Sequence, residues 1–164
     1  MTRDSRLATS SIVSFRLELA SAFAELNRAW IESLFVLEEA DWRVLRNPEE
    51  SIIQPGGQIF FAMDGAHAVG TAAAVRVSPD VFELAKMAVS PSYQGRGLGE
   101  RLGRAVIDYA RSEGAAKIYL ETNSRLANAI RLYQRLGFEK AAFPGQSDYA
   151  RADVYMELRL RAEG

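Results

Sequence analysis

The stretch SPSYQGRGLGERLG, residues 90–103, contains the residues whose types and spacing best suit chemistry with a ligand. Four glycines lie within nine positions of it, with two arginines among them: Gly95, Gly97, Gly99, Gly103, Arg96 and Arg101. A glycine inside a helix costs about 1 kcal/mol relative to alanine, yet the residues after Gly97 have helical spacing. Unpaired N–H groups at a helix start attract anions, glycines let a phosphate approach them, and arginines add charge-assisted hydrogen bonds. The stretch therefore predicts a pyrophosphate site for a cofactor with a long reactive arm.

Two other interpretations of this stretch remain open. Glycines also let a helix start pack tightly against a sheet. The spacing G-x-G-x-x-x-G is loosely similar to a dinucleotide-binding fingerprint, but residues 90–94 separate it from the preceding strand. Only about 60 residues follow Gly103, which is short for a doubly wound sheet. No Lys-Ser or Lys-Thr pair follows Gly99, so a phosphate loop of the ATPase type is excluded.

The composition limits the classes of function. The chain has 164 residues, of which 48% are hydrophobic and 25% charged, as is ordinary for a globular protein. Cysteine is absent and His67 is the single histidine, which excludes disulfides, a cysteine nucleophile and a histidine-rich metal site, so no metal is expected. A Ser-His-Asp site would have to use His67. A net charge of -1 provides no basic field, and no apolar run approaches 18 residues, so neither nucleic acid nor a membrane is an expected partner.

The N-terminal segment and the lack of linkers bear on location and domain organisation. The segment MTRDSRLATS is polar and lacks the apolar core of a signal peptide, so a cytoplasmic location is expected. No linker, internal repeat or low-complexity tract divides the chain. We therefore expect residues 1–164 to form a single domain.

Hydrophobic periodicity predicts the elements that must position the glycine stretch. The predicted strands are 11–19, 58–63, 68–77, 81–89, 116–122 and 151–160. The first predicted helix has Leu19, Phe23, Leu26 and Trp30 on one face. Three more are predicted from Glu38 to Arg46, from Leu98 to near Gly114, and from Leu126 to Gly137. The order indicates an α/β chain, with early helices, an antiparallel meander and then strand-helix-strand-helix-strand.

Several segments resemble one family. The residues QGRGLG (94–99) resemble the Q/R-x-x-G-x-G/A signature of the GNAT N-acetyltransferase superfamily, with Gln94, Gly97 and Gly99 at its defined positions. The preceding ELAKMAV resembles the family's fourth strand. ANAIRLYQRLGF (127–138) is similar to the family's N-x-x-A-x-x-L-Y-x-x-x-G-F segment, and VYMELRL resembles a closing strand. The similarity covers residues 58–160 well and the first 57 in outline.

The resemblance implies a fold and a cofactor. The implied fold is an α/β (α+β) GNAT fold: a mixed, mostly antiparallel sheet, flanked by helices, with two splayed central parallel strands, 82–89 and 116–122. The implied cofactor is acetyl-CoA, whose pantetheine amides would bond to strand backbone while its pyrophosphate meets the glycine stretch. The implied cofactor-binding residues are Met87, Ala88, Val89, Gln94, Gly95, Arg96, Gly97, Leu98, Gly99, Glu100, Arg101, Asn123, Asn128 and Tyr133. Gly103 is expected to allow close helix packing instead.

The resemblance also implies a reaction, in which a neutral amine attacks the thioester directly in a ternary complex. Tyr133 matches the family's acid for the departing thiolate, since a phenol with a reference pKa near 10 keeps its proton at neutral pH. A core aromatic is the alternative reading of Tyr133. Glu83 matches the base, acting directly or through water, although an exposed strand carboxylate is equally consistent. Glu121 is a second candidate base. A backbone N–H near Val89 is expected to meet the carbonyl oxygen.

The family's first helices build the acceptor pocket, which here would be RAWIESLFVLEEADWRVL. Trp30, Phe35 and Glu38 are the implied substrate-binding residues, because a carboxylate beside aromatic rings can hold a cationic amine. The alternative is that the aromatic residues belong to the core and that Glu38, Glu39 and Asp41 form a solvated helix start.

The predicted function is therefore an acetyl-CoA-dependent N-acetyltransferase acting on a primary amine of a small molecule. Transfer to a peptide or protein amine is an alternative within the class, and a non-catalytic acyl-CoA sensor or interaction module is an alternative outside it. The family's frequent homodimers make a second copy of the chain a further expected partner.

Overall fold

A computed structural model describes residues 11–161, and the polar N-terminal segment, residues 1–10, lies outside them. The strands are β1 (Ser11–Ser14), β2 (Gln58–Asp64), β3 (His67–Ser78), β4 (Val81–Val89), β5 (Lys117–Thr122), β6 (Glu139–Ala141) and β7 (Val154–Arg159). The helices are α1 (Ala20–Leu34), α2 (Glu39–Arg46), α3 (Leu98–Ser112) and α4 (Ala127–Arg135). Short 3-10 turns span Leu17–Leu19 and Pro91–Tyr93, and a π-helical turn spans Glu49–Ile53.

The strands form one sheet in the order β1-β2-β3-β4-β5-β7-β6. β4 and β5 run parallel, and the other neighbouring strands of the described residues pair antiparallel. The parallel pair lies near the centre of the sheet, and the chain crosses from β4 to β5 through α3, as a parallel pairing requires. The predicted mixed sheet with two central parallel strands and flanking helices is confirmed.

Two apolar clusters pack on opposite faces of this sheet. Successive side chains of a strand point to opposite faces, so Ala72 of β3 joins one cluster and Ala73 joins the other. The first cluster includes Leu102 of α3 and Ile130 of α4, whereas the second includes Phe23 of α1 and Leu45 of α2. The helices therefore form two layers with the sheet between them. None of the helices within residues 11–161 is long and apolar enough to cross a membrane.

Most of the predicted elements are confirmed with small shifts in their bounds. α2 begins at Glu39, with Glu38 as its N-cap, and β4 spans Val81–Val89 as predicted. α3 ends before Gly114, whose φ of 81° lies in the left-handed region expected of a helix-ending glycine.

Two details of the predicted elements are wrong. The predicted strand 11–19 ends at Ser14, because Leu17–Leu19 form a 3-10 turn that leads directly into α1. The buried face of α1 consists of Phe23, Asn27 and Ile31, while the predicted members Leu26 and Trp30 are half-buried at its margin. Apolar periodicity did not predict this face because Asn27 is polar. Its side chain can be buried because it donates to the Phe23 carbonyl of the preceding turn. The three-residue β6 is fully exposed and carried no alternating pattern.

Candidate active site

β4 and β5 separate part-way along their length. They pair only at Val81–Lys117, Phe82–Ile118 and Glu83–Tyr119, although β4 continues to Val89. Beyond Glu83 the edge of β4 that faces β5 has no strand partner, so its backbone N–H and C=O groups need another partner. The sheet thus contains a gap that narrows to a closed end at Glu83 and Tyr119.

A bulge in β4 lies beside this gap. Ala85 pairs with Ala73 of β3 and Ala88 pairs with Thr71, so two residues of β4 lie opposite a single residue of β3. Lys86, within the bulge, has φ of 53°, a left-handed conformation that is uncommon for a residue other than glycine. Because a bulge bends its strand and increases the local twist, it favours the separation of β4 from β5.

The glycine stretch follows the open end of β4. The Gln94 side chain donates to the Val89 carbonyl at 3.0 Å, which fixes the turn against the strand end. Gly95 and Gly97 have φ of 76° and 82°, and Gly97 is the N-cap of α3. A Cβ built on either glycine would meet no heavy atom within 4 Å, so the space over the helix start is open. The first N–H groups of α3 therefore face an unobstructed region that suits a phosphate.

The other residues predicted for this cradle lie around the same helix start. A Cβ on Gly99 would approach Leu132 of α4 at 3.0 Å and the Met87 sulfur at 4.0 Å, so the helix start adjoins both the gap and α4. Glu100 forms an ion pair with Arg135 at 3.5 Å. The remaining positions are buried at Leu98 and Ala88, half-buried at Val89, and exposed at Arg96 and Arg101.

Gly103 serves helix packing, as predicted. A Cβ at this position would lie 2.5 Å from Leu136 Cδ1, just after α4. That distance is too short for a side chain without movement of Leu136, so glycine allows α3 to pack closely on the end of α4.

Tyr133 lies on α4, next to the Leu132 that touches the helix start. Its half-buried ring packs edge-on against Phe138, with centroids 6.3 Å apart. Burial raises the pKa of Tyr133 to about 12. Within residues 11–161 the Tyr133 hydroxyl has no hydrogen-bond partner, and it is accessible to solvent. The ring belongs to the core in part, while its hydroxyl is a free donor.

The two predicted asparagines have different surroundings. Asn128 is exposed on the first turn of α4, where its side-chain oxygen accepts from Arg131. Asn123 donates to the Arg151 carbonyl at 2.7 Å and accepts from the Arg125 N–H at 2.8 Å. Asn123 therefore ties the end of β5 to the segment that precedes β7.

Glu83 lies at the closed end of the gap, on the sheet face that α1 and α2 cover. Burial raises the pKa of Glu83 to about 7, and the negative charges of Glu121 and Asp148 act in the same direction against the opposing effect of Lys86. No residue within 11–161 donates a hydrogen bond to this carboxyl. A largely buried carboxyl without a donor that titrates near neutral pH is suited to exchange protons with a ligand.

The segment between β6 and β7 covers the sheet face beyond Glu83. Tyr119 stacks on Tyr155 with centroids 5.5 Å apart, and Phe143 packs on Tyr155 at 5.6 Å. Ser147 donates to Glu121 at 2.5 Å, which holds the segment to β5. Aromatic rings and carboxylates therefore line this side of the gap.

A buried ionic cluster, here the Asp41 cluster, joins α2, the β4 bulge and this covering segment. Asp41 is fully buried and accepts from Lys86 Nζ at 2.6 Å and from both Arg151 Nη atoms at 2.8 and 2.6 Å. Arg151 also lies 3.4 Å from Glu38, and Lys86 donates to the Tyr149 hydroxyl at 3.1 Å. Burial opposes ionisation of Asp41, but the hydrogen bonds from Arg151 and Lys86 outweigh it and hold the pKa at about 2.

Of the three predicted acceptor-binding residues, Trp30 and Phe35 contact each other, whereas Glu38 binds Arg151 of the covering segment. Trp30 packs edge-on against Phe35 at 6.3 Å and donates to Asn27 at 3.2 Å, while Glu38 caps α2 and binds Arg151. The alternative of a solvated helix start holds for Glu39, which is exposed, and is wrong for Asp41, which is fully buried.

Sequence reasoning missed the Asp41 cluster and the covering segment. A lysine within the otherwise apolar LAKMAV run was a usable signal, since a charge in a central strand needs a partner. Arg151, Tyr149 and Ser147 lie in an irregular segment, where no periodicity predicts a contact.

The separated central parallel strands and the open, glycine-lined helix start are the fold features expected of an acyl-CoA-binding acetyltransferase. The family model described as the acetyltransferase (GNAT) family matches residues 19–138. This chain therefore belongs to the GNAT family, whose members use acetyl-CoA. The match includes the first helices, which the sequence resembled only in outline.

Relatives agree with this membership. The chain is 43% identical over 60 residues to the uncharacterized N-acetyltransferase YjgM of Escherichia coli, covering 37% of the chain and 36% of that protein. It is 34% identical over 92 residues to the N-alpha-acetyltransferase RimI of Mycobacterium tuberculosis, covering 54% and 56%. It is also 34% identical over 83 residues to a mycothiol acetyltransferase of Corynebacterium glutamicum, covering 51% and 28%. The chain thus spans less than two thirds of the length of these relatives.

Solved structures share the fold. A GNAT-family acetyltransferase from Staphylococcus aureus superposes with a TM-score of 0.85 at 20% identity, covering 93% of this chain and all (100%) of that one. YncA of Salmonella typhimurium, solved with its cofactor acetyl-CoA, superposes with a TM-score of 0.77 at 23% identity, covering 95% and 96%.

Proposed function

We propose that this chain transfers the acetyl group of acetyl-CoA to a primary amine of a small molecule, by direct attack in a ternary complex. The observation that carries the proposal is the gap between β4 and β5 with Glu83 at its closed end. This carboxyl has a pKa of about 7 and no donor among the described residues. One acetyltransferase domain formed by residues 1–164 accounts for both apolar clusters, which pack on a single sheet.

The chain's own groups suit acetyl-CoA along the open edge of β4. The backbone of Met87, Ala88 and Val89 offers N–H and C=O groups to the pantetheine amides, much as a paired strand would. The N–H groups of Gln94–Gly99 and the first turn of α3 would hold the pyrophosphate, since the left-handed glycines leave that space clear. Asn128 stays in the proposed contact set, and Asn123 would act by holding the covering segment.

The acetyl transfer needs a base and an acid. When bound, acetyl-CoA supplies the thioester whose acyl carbon an amine attacks, so that a C–N bond forms and the C–S bond breaks. Glu83 accepts the proton of the incoming ammonium, because a carboxyl with a pKa of about 7 is substantially ionised at neutral pH. Tyr133 keeps its proton at neutral pH and donates it to the departing sulfur. A backbone N–H near Val89 would stabilise the charge that develops on the carbonyl oxygen.

A peptide or protein amine is the second candidate acceptor, because one relative is named an N-alpha-acetyltransferase. The relative named for mycothiol favours a small molecule. Under this proposal Trp30, Phe35 and Glu38 form the outer wall of the acceptor side, although Glu38 reaches it only through Arg151. A non-catalytic acyl-CoA sensor would need neither the titratable Glu83 nor the free hydroxyl of Tyr133.

A glycine pair on the same helix tests the cofactor site. Gly97 and Gly114 flank α3 with φ of 82° and 81°, and neither has an atom within 4 Å of a built Cβ. Gly97→Asp and Gly114→Asp therefore impose a similar backbone strain of roughly 1–2 kcal/mol. We expect only Gly97→Asp to abolish acetyl-CoA binding by calorimetry, because it places bulk and negative charge over the helix start. Equal affinities for the two variants would contradict the proposed cradle.

A thioester-cleavage assay against a panel of amines then tests catalysis. Tyr133→Phe should lower kcat while the affinity for acetyl-CoA stays unchanged, since only the proton donor is removed. Binding of acetyl-CoA without turnover across small amines and peptides would favour the sensor. Unchanged turnover of Tyr133→Phe would return this residue to a packing role.

A further inference from the structure

The two cations of the Asp41 cluster are paired with carboxylates. Lys86 and Arg151 share the carboxylate of Asp41, and Arg151 also pairs with Glu38 at 3.4 Å. Both cations additionally lie against the ring of Tyr149, at 4.4 and 4.7 Å from its centroid. Two positive and two negative charges therefore balance within the Asp41 cluster, which leaves no unpaired cation there for an anionic ligand.

Three carboxyls beside that cluster form no ion pair with a described residue. They are Glu83 at the closed end of the gap, Glu121 further along β5 and Asp148 in the covering segment. Glu121 accepts from Ser147 through Oε1, so its second oxygen remains available. Asp148 is exposed and acts electrostatically on Glu83 and Tyr149. Of these three, Glu83 also has limited exposure and accepts from no described donor, as a carboxyl that binds a ligand would.

The strand register separates these carboxyls by a defined span. Glu83 pairs with Tyr119, and Glu121 lies two residues further along β5 on the same face. Strand spacing and rise then put the α-carbons of Glu83 and Glu121 roughly 8 Å apart. Tyr119 lies opposite Glu83 and Tyr155 lies opposite Glu121, so their stacked rings adjoin both carboxyls on this face. An aliphatic chain of a few methylenes would span the distance between the two carboxyls and lie beside these rings.

From this arrangement we infer that the acceptor is an aliphatic diamine: its reacting amine lies at Glu83, and its second, unreacted ammonium is bound by Glu121 and Asp148. This inference rests on the proposed acetyl transfer and adds the chemical class of the acceptor. A charge-assisted contact with a carboxylate binds the far ammonium, and the aromatic rings favour both the methylenes and the cation. A far carboxylate would meet two negative groups, and a far hydroxyl would lose the charge-assisted contact.

Three amines with the same carbon chain test the inference, using the complete protein and acetyl-CoA. Putrescine, aminobutanol and aminobutyrate carry a far ammonium, a far hydroxyl and a far carboxylate respectively. We expect kcat/KM to fall in that order, with at least about tenfold between putrescine and aminobutanol. A ratio near one, or a preference for aminobutyrate or for a peptide amine over putrescine, would overturn the inference.

Glu121→Gln and Glu157→Gln form the matched pair of variants. Glu121 on β5 and Glu157 on the neighbouring β7 lie on the same face of the sheet. Glu157, however, is already paired with Lys117 at 3.2 Å. Glu121→Gln should reduce the putrescine-to-aminobutanol ratio by at least about tenfold, whereas Glu157→Gln should leave it unchanged. If Glu121 acted as the base, its loss would slow both amines equally and leave the ratio intact, which would contradict the inference.

Failure of the inference is distinguishable from failure of the proposed function. Acetylation of all three amines at similar rates would overturn the diamine preference and leave acetyl transfer standing. Absence of acetyl-CoA binding, or of turnover with every amine, would overturn both.

Discussion

Asp41 is fully buried and Glu83 is half-buried on the same side of the sheet, yet their pKa values shift in opposite directions. Asp41 accepts four hydrogen bonds, from Lys86, twice from Arg151 and from the Glu38 N–H, and its pKa is about 2. Glu83 accepts none from the described residues, and its pKa is about 7. Burial raises the pKa of both groups, so the donors decide the difference. The comparison separates a carboxylate that stabilises the structure from one that can exchange a proton.

Removal of the Asp41 charge should have the largest effect. Asp41→Asn leaves Lys86 and Arg151 buried without a counter-charge, so we expect a loss of about 3–5 kcal/mol in the free energy of unfolding, measured with urea. Glu39→Gln, at the exposed first residue of the same helix, should change it by less than about 1 kcal/mol. A similar small effect for both variants would show that the Asp41 cluster contributes little to stability.

The depressed pKa of Asp41 also fixes the direction of acid destabilisation. The ionised carboxylate contributes its stability above pH 3.8, its unfolded value, and that contribution is lost as pH falls through about 2. The wild-type protein should therefore lose more stability than Asp41→Asn between pH 4 and pH 2.

The next effect concerns the rate of acetyl transfer. Glu83→Gln cannot accept a proton, so we expect kcat to fall by roughly 100-fold or more. In the wild-type protein kcat should decline as pH falls through about 7, and this decline should disappear in the variant. Glu157→Gln, on the same sheet face, should retain both the rate and the pH profile. An unchanged kcat for Glu83→Gln would remove Glu83 from the proposed chemistry.

The smallest expected effect is the dependence of stability on the Glu83 charge. Because its folded pKa is raised above the unfolded value of 4.5, its stabilising contribution is complete below pH 4.5 and is lost as pH rises through about 7. Glu83→Gln should therefore gain roughly 2–3 kcal/mol of stability relative to wild type between pH 4 and pH 8. A constant difference across this range would mean that Glu83 is solvated as in the unfolded chain.

The sequence predicted the elements that depend on local patterns. The bounds of β4 and the start of α2 followed from periodicity and turn residues, and the glycine stretch indicated an open helix start. The close helix contact at Gly103 was also predicted, because this glycine lies one turn into α3, beyond the proposed phosphate site. Periodicity gave the wrong buried face for α1, because it assigned Leu26 to the core. Asn27 is buried there instead, with its side-chain amide bonded to a carbonyl of the same helix.

The Asp41 cluster lay beyond such signals. Asp41 lies 45 residues from Lys86 and 110 from Arg151 in the sequence. No periodicity or turn rule links residues so far apart, and an aspartate near a helix start ordinarily stays in water. The covering segment escaped prediction for the same reason, since Ser147 and Tyr149 lie in irregular chain.

The sequence by itself determined the family, the order of elements and the glycine-lined helix start, because each depends on residues that are close together in the chain. Only the tertiary structure decided which carboxyl has donors and which does not, and hence which of Asp41 and Glu83 can titrate near neutral pH. The physical reason is that a pKa depends on burial and on the charges and donors within a few ångströms, and these come from distant parts of the chain.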